Sequence, residues 1–185
     1  MEWILLVLVL LVLGWFMLVY NRLVALRQAC AQAWADVEVQ LKQRHDLIPN
    51  LVEVVKGYAA HEKETLERVI AARNAAAAAH TPEESSRAEG QLAGLLRQVF
   101  ALSEAYPDLK ANQNFLRLQA ELSDIENKIA AARRFFNSAV AEFNSAIQQI
   151  PAVFFAGSLG FTPRAFFELP EDQRAAVQTA PAVKF

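Results

Sequence analysis

The stretch that decides the fold runs from Phe115 to Ile150, FLRLQAELSDIENKIAAARRFFNSAVAEFNSAIQQI. Its apolar residues Phe115, Leu118, Leu122, Ile125, Ile129, Ala132, Phe136, Ala139, Phe143, Ala146 and Ile150 follow one another in steps of three and four. That spacing holds one stripe on one side of a helix for about ten turns. A helix of this kind gains most of its stability in water by burying the stripe, so the rest of the chain must supply helices to cover it.

The composition agrees. Glycine (6) and proline (7) are scarce in the 185 residues, and no alternating apolar and polar run of strand type extends beyond a few residues, so the fold class is all-α. The net charge of -2, without a block of like charge, gives no electrostatic footprint for nucleic acid. A single cysteine, Cys30, excludes an internal disulfide framework.

Ile4 to Tyr20 (ILLVLVLLVLGWFMLVY) carries no charge and lies between Trp3 and Tyr20, aromatic types that settle at the headgroup level. With Trp3 it makes about 18 residues, enough to cross a hydrocarbon core of roughly 30 Å. Glu2 stands before it where a signal peptide has lysine or arginine, and no small-x-small cleavage site follows, which predicts a retained transmembrane helix. A lipoprotein signal does not fit, because Arg27-Gln28-Ala29 precedes Cys30. Arg22 and Arg27 follow the span and nothing basic precedes it, so the bias is toward an outside N-terminus and a cytoplasmic bundle.

Leu23, Leu26, Cys30, Trp34, Val37 and Leu41 continue the helical stripe without a break after Tyr20. At Arg44-His45-Asp46-Leu47-Ile48-Pro49-Asn50, Asp46 is a good N-cap and Pro49 suits a first helical turn, which favours a hairpin here. The alternative is a kinked continuous helix, in which an interior proline costs about 3 kcal/mol. On the hairpin reading a second helix covers about 47–79, with Leu51, Val54, Tyr58, Thr65, Val69 and Ala72 inward. Thr81-Pro82-Glu83-Glu84 supplies an N-cap, a first-turn proline and the glutamate of a capping box. It opens a third helix, about 82–105, with Ala88, Leu92, Leu95, Val99 and Leu102 inward. Tyr106-Pro107-Asp108 is a turn, and the long fourth helix stops at Pro151.

The reading is therefore an N-terminal transmembrane anchor (1–21), an antiparallel four-helix bundle (22–150) and an aromatic-rich C-terminal tail (151–185). The tail holds Phe154, Phe155, Phe161, Phe166, Phe167 and Phe185, and so many aromatics need a surface to cover. A strap along the bundle is favoured over insertion at the membrane interface, because Arg164, Arg174 and Lys184 are few basic residues for the latter. Four helices joined by short turns bring the tail back to the membrane end; three rods, with Pro49 only a kink, leave it far away.

One family carries these residues in this order. The blocks are Tyr20-Asn21, Trp34, Gln40-Leu41-Lys42, Arg44, Asp46-Leu47-Ile48-Pro49-Asn50-Leu51-Val52, Lys56-Gly57-Tyr58-Ala59 with His61-Glu62, and Arg73. They continue with Tyr106-Pro107-Asp108-Leu109-Lys110-Ala111-Asn112, Asn114-Phe115, Leu118-Gln119, Glu121-Leu122, Glu126-Asn127-Lys128-Ile129-Ala130, Arg133, Phe136-Asn137, Phe143-Asn144, Pro151 and Val183-Lys184-Phe185. Together they resemble the LemA family of bacterial membrane proteins over essentially the whole chain. The resemblance implies a single-pass anchor in the bacterial inner (cytoplasmic) membrane, followed by an antiparallel helical bundle. It also implies TPM-domain membrane proteins as a partner class.

The residues give no foothold for catalysis. His61 and Glu62 are adjacent on a helix and point about 100° apart, so they do not converge on a metal. There is no HExxH, no Glu-x-x-His pair, no GxSxG and no phosphate-cradling glycine loop. His45-Asp46 reads as a helix end followed by a cap, and Cys30 as a small buried residue. No catalytic, cofactor-binding or metal-ligating residue is expected, and no cofactor. The polar residues Glu126, Arg133, Asn137 and Asn144 of the long helix form two pairs a heptad apart. Their favoured reading is a half-buried ladder that meets Arg44, Asn50 or Arg73 and fixes the bundle's register.

The expected function is a membrane-anchored, self-associating helical scaffold or adaptor without catalytic activity, with membrane lipid and further copies of the chain as partners. The alternative is a membrane-remodelling or envelope-stress protein acting on lipid through its stalk and tail.

Overall fold

The computed structural model describes residues 1–168. The expectations for Phe185, Arg174, Lys184 and the Val183-Lys184-Phe185 block lie outside the described residues. Among the described residues there is no strand. The helices are α1 (Glu2–Lys56), α2 (Lys63–Ala77), α3 (Pro82–Leu102), α4 (Pro107–Lys110) and α5 (Gln113–Gln148). Short 3-10 turns occupy Ala60–Glu62, Ser103–Ala105 and Ala152–Phe154.

Helix α1 corrects the hairpin reading at Pro49: the helix runs through this proline to Lys56. A proline inside a helix lacks the N–H that would bond the carbonyl four residues earlier, here that of His45. That carbonyl accepts a hydrogen bond from Arg73 Nε of α2 at 3.1 Å. The loss is thus made good from a neighbouring helix, and the chain need not turn. Asp46, read as an N-cap, is instead an exposed helical residue paired with Lys42 one turn before it at 2.6 Å.

The turn comes at Gly57–Glu62. There Tyr58 and Ala59 N–H groups both donate to the Val55 carbonyl, at 3.0 and 2.8 Å, and close the end of α1. The second helix is consequently short, 63–77 rather than 47–79, and Leu51 and Val54 belong to α1. The capping box forms as the sequence predicts. Glu84 N–H donates to Thr81 Oγ1 at 3.2 Å, and Thr81 N–H donates to Glu84 Oε2 at 3.3 Å. The Tyr106-Pro107-Asp108 turn is itself a short helix, α4. Asn112 then caps α5, its Oδ1 accepting from the N–H groups of Asn114 and Phe115 at 2.9 and 3.0 Å. Its Nδ2 donates to Tyr58 Oη at 2.8 Å.

The described chain packs as two compact units, 1–37 with 132–165, and 38–131 with 166–168. In the first, Leu23, Cys30, Ala33 and Val37 of α1 and Phe136, Val140, Phe143 and Ala146 of α5 are buried. Trp34 packs on Phe136 with ring centroids 5.2 Å apart. In the second, one core draws Ile48, Leu51 and Val55 from α1, Leu66 and Val69 from α2, Leu92, Leu96 and Val99 from α3, and Phe115, Leu118 and Leu122 from α5. The stripe of the long helix is inward from Phe115 to Ala146; Ile150 lies past the helix end and is exposed.

The beginning of α1 is apolar and long enough to cross a membrane, with a mean hydropathy of 2.7 over an 18-residue window in which no residue is buried by the described chain. With Pro49 inside a helix, the three-rod argument leaves the tail far from this segment. That expectation fails because the chain reverses at Gly57 instead, and Phe155 packs against Phe16 with ring centroids 4.9 Å apart. Further on, Phe167 is buried and the Ser86 hydroxyl donates to the Glu168 carbonyl.

Candidate functional site

The most concentrated chemistry in the described residues is a buried ionic cluster in the second unit. Arg44 and His45 stand side by side on α1, and Glu89 of α3 bridges them. Arg44 Nη2 donates to Glu89 Oε2, and His45 Nε2 lies 2.7 Å from Glu89 Oε1. Arg44 Nη1 also reaches Glu126 Oε2 of α5 at 2.6 Å. Arg44, His45 and Glu89 are 3%, 6% and 6% exposed, whereas the Glu126 side chain is 59% exposed. Arg44 Nε makes no hydrogen bond among the described residues. An open cleft of about 420 Å³ borders the cluster, lined in part by His45, Asp46, Arg73, His80 and Ser85.

Burial sets the protonation states. It pulls the Arg44 guanidinium below its usual range, against the opposing pull of Glu126. His45 is pushed down to about 4, first by burial and then by the Arg44 and Arg73 cations, with Asp46 opposing. Glu89 alone would favour an imidazolium, but its charge is already matched by Arg44. His45 is therefore neutral at pH 7, and the hydrogen bond between its Nε2 and Glu89 Oε1 holds the ring in place. Each charged head is held by another group of the same chain, so the arrangement ties α1, α3 and α5 together. Removing Arg44 or Glu89 would leave an uncompensated buried charge, worth about 3 to 5 kcal/mol.

The expected polar ladder is realised in pieces. Glu126 meets Arg44, as read from the sequence. Arg73 goes to the His45 carbonyl and lies 3.8 Å from Asp46 Oδ1, and Asn50 is exposed. Asn144 meets no helix: its side chain pairs with the main chain of Arg164, donating to the carbonyl and accepting from the N–H, both at 2.8 Å. Arg133 and Asn137 are half-buried on α5. Sequence reasoning missed Glu89 and gave His45 the wrong role. The signal was present: Glu89 lies three residues before Leu92 and seven before Leu96, on the face that buries them, where an acid requires a partner.

His61 is exposed in its 3-10 turn. Cys30 is fully buried, as its place on the stripe predicts, and burial pushes its thiol up. Among the described residues no group of three or more His, Cys, Asp or Glu side chains is placed to hold a metal ion.

The chain is 28% identical over 178 residues to Protein LemA of Metamycoplasma hominis, an alignment covering 92% of this chain and 80% of that one. It is 22% identical over 174 residues to Magnetosome protein MamQ of Magnetospirillum gryphiswaldense, covering 80% of this chain and 64% of that protein. The LemA family model matches residues 33–185, which takes in Arg44, His45, Glu89 and Glu126 and all of α2 to α5. This chain belongs to the LemA family.

Proposed function

We propose that this chain is a membrane-anchored helical scaffold that works by self-association and performs no catalysis. The observation that carries the reading is the continuity of α1, one helix whose first part is apolar enough to span a bilayer and whose last part, Ile48 to Val55, builds a packed core. A rod shared by membrane and bundle transmits position, and the ionic cluster spends its charges on holding helices rather than on a ligand. Long packed helices and the exposed Phe135 on α5 favour further copies of the chain as partners. In this reading the bundle is antiparallel and lies on the cytoplasmic face of the inner membrane, the side on which Arg22 and Arg27 follow the span. TPM-domain membrane proteins are the partner class suggested by the family.

Sizing by light scattering of the detergent-solubilised full chain, beside a version starting at Asn21, tests this. The reading requires an assembly larger than a monomer for the full chain. A monomer in both cases removes the scaffold.

A further inference from the structure

The chain after α5 turns an uncharged knob outward beside the end of the apolar span. From Phe143 to Pro163 there is no Asp, Glu, Lys or Arg. On this segment Ile150, Val153, Phe154 and Leu159 are 79%, 48%, 78% and 40% exposed, while Ala152, Ala156 and Phe161 are buried. Its buried side is pinned to α1: Phe155 packs on Phe16 at 4.9 Å, and Phe161 on Tyr20 at 5.7 Å. Phe16 lies about 6 Å further into the apolar stretch than Tyr20, one helical turn. The knob is therefore level with the last turn of the span.

We propose that residues 150–159 are a second membrane-contacting element, a wedge seated among lipids at the boundary between headgroups and acyl chains next to the anchor. Large exposed aromatic and aliphatic side chains clustered without charge are unfavourable in water and favourable at that depth. The backbone is equipped for it, because N–H groups in this region find local carbonyls. Phe154 donates to Pro151, Ala156 to Ala152, Leu159 to Phe155 and Phe161 to Ala156, at 2.7–3.2 Å. Cations stand at the rim, Arg27 over the Phe161 ring at 5.1 Å and Arg164 over the Phe143 ring at 6.0 Å, as suits a side facing headgroups. Continuity with the span through Phe16 makes lipid the occupant of this face. The wedge deepens the anchored reading above and rests on it.

The test uses the full chain in phosphatidylethanolamine and phosphatidylglycerol vesicles, in a Cys30→Ala background, with an environment-sensitive fluorophore on Val9→Cys, Phe154→Cys, Leu159→Cys or Ser138→Cys. Lipid-borne nitroxides and aqueous iodide serve as quenchers. Val9 reports the anchor, and Ser138, exposed on α5, reports water. The wedge predicts blue-shifted emission at 154 and 159, quenched strongly by nitroxide and weakly by iodide. Iodide quenching there equal to that at Ser138 overturns the wedge and leaves the anchor standing. Protection from both quenchers overturns it too, since another copy then covers the face. Iodide access at Val9 overturns the anchor and the wedge together.

Discussion

Arg73 Nε donates to the carbonyl oxygen of His45 at 3.1 Å, and that carbonyl is the one which Pro49 leaves without its helical partner. An arginine on α2 thus repairs a proline defect in α1, and the helix runs on for seven residues past the proline, to Lys56. Restoring the N–H should make the arginine less necessary. Arg73→Met is expected to lower stability by about 1 to 2 kcal/mol in the native background and by less in Pro49→Ala. Thermal unfolding of the four proteins of this double-mutant cycle measures the coupling; equal losses in both backgrounds would break the link.

Glu89 bridges Arg44 and His45 in the second unit's interior. Glu89→Gln leaves the Arg44 charge with only the exposed Glu126 for a partner, and a loss of about 3 kcal/mol is expected. Arg44→Met combined with Glu89→Leu removes both buried charges and should recover most of that loss. Circular dichroism melts of the solubilised chain distinguish the two; a double variant as unstable as Glu89→Gln would mean that the charges do more than satisfy one another.

His45 titrates at about 4 in the folded chain against an ordinary 6.5. Between those values the unfolded chain takes up a proton that the folded chain refuses. The stability conferred by the neutral imidazole is complete above pH 6.5 and falls as pH drops toward 4, by roughly 3 kcal/mol in all. Arg44, Arg73, Lys42, Asp46 and Glu89 are the charged groups around it. Melting temperature followed from pH 7 to pH 4 should show this decline, and His45→Gln should flatten it.

Asn144 holds the main chain of Arg164 by two hydrogen bonds of 2.8 Å. Asn144→Ala removes both, at about 1 kcal/mol each. The Arg164 amide should then exchange its hydrogen faster, with little change in the amides of α3.

The parts legible in the sequence are those governed by a single helix. The stripe from Phe115 to Ala146, the Thr81–Glu84 capping box and the buried place of Cys30 depend on local spacing, and each is found where spacing puts it. The parts that were not legible depend on another element of the chain. Pro49 and Asp46 look like a helix start until Arg73, distant in sequence, supplies the missing donor. His45 looks like a helix end until Glu89 arrives from α3. Asn144, on the same face of α5 as Asn137, gives no hint that its partner is a main chain twenty residues on. Glu89 was the one cue left unused, an acid on a buried face.

The account stands on rods held side by side at a membrane, and counting copies tests it most directly. Native mass spectrometry of the full chain released from lipid nanodiscs should give a discrete multiple of the chain mass, retained when the protein is diluted. A single copy at every concentration would contradict it.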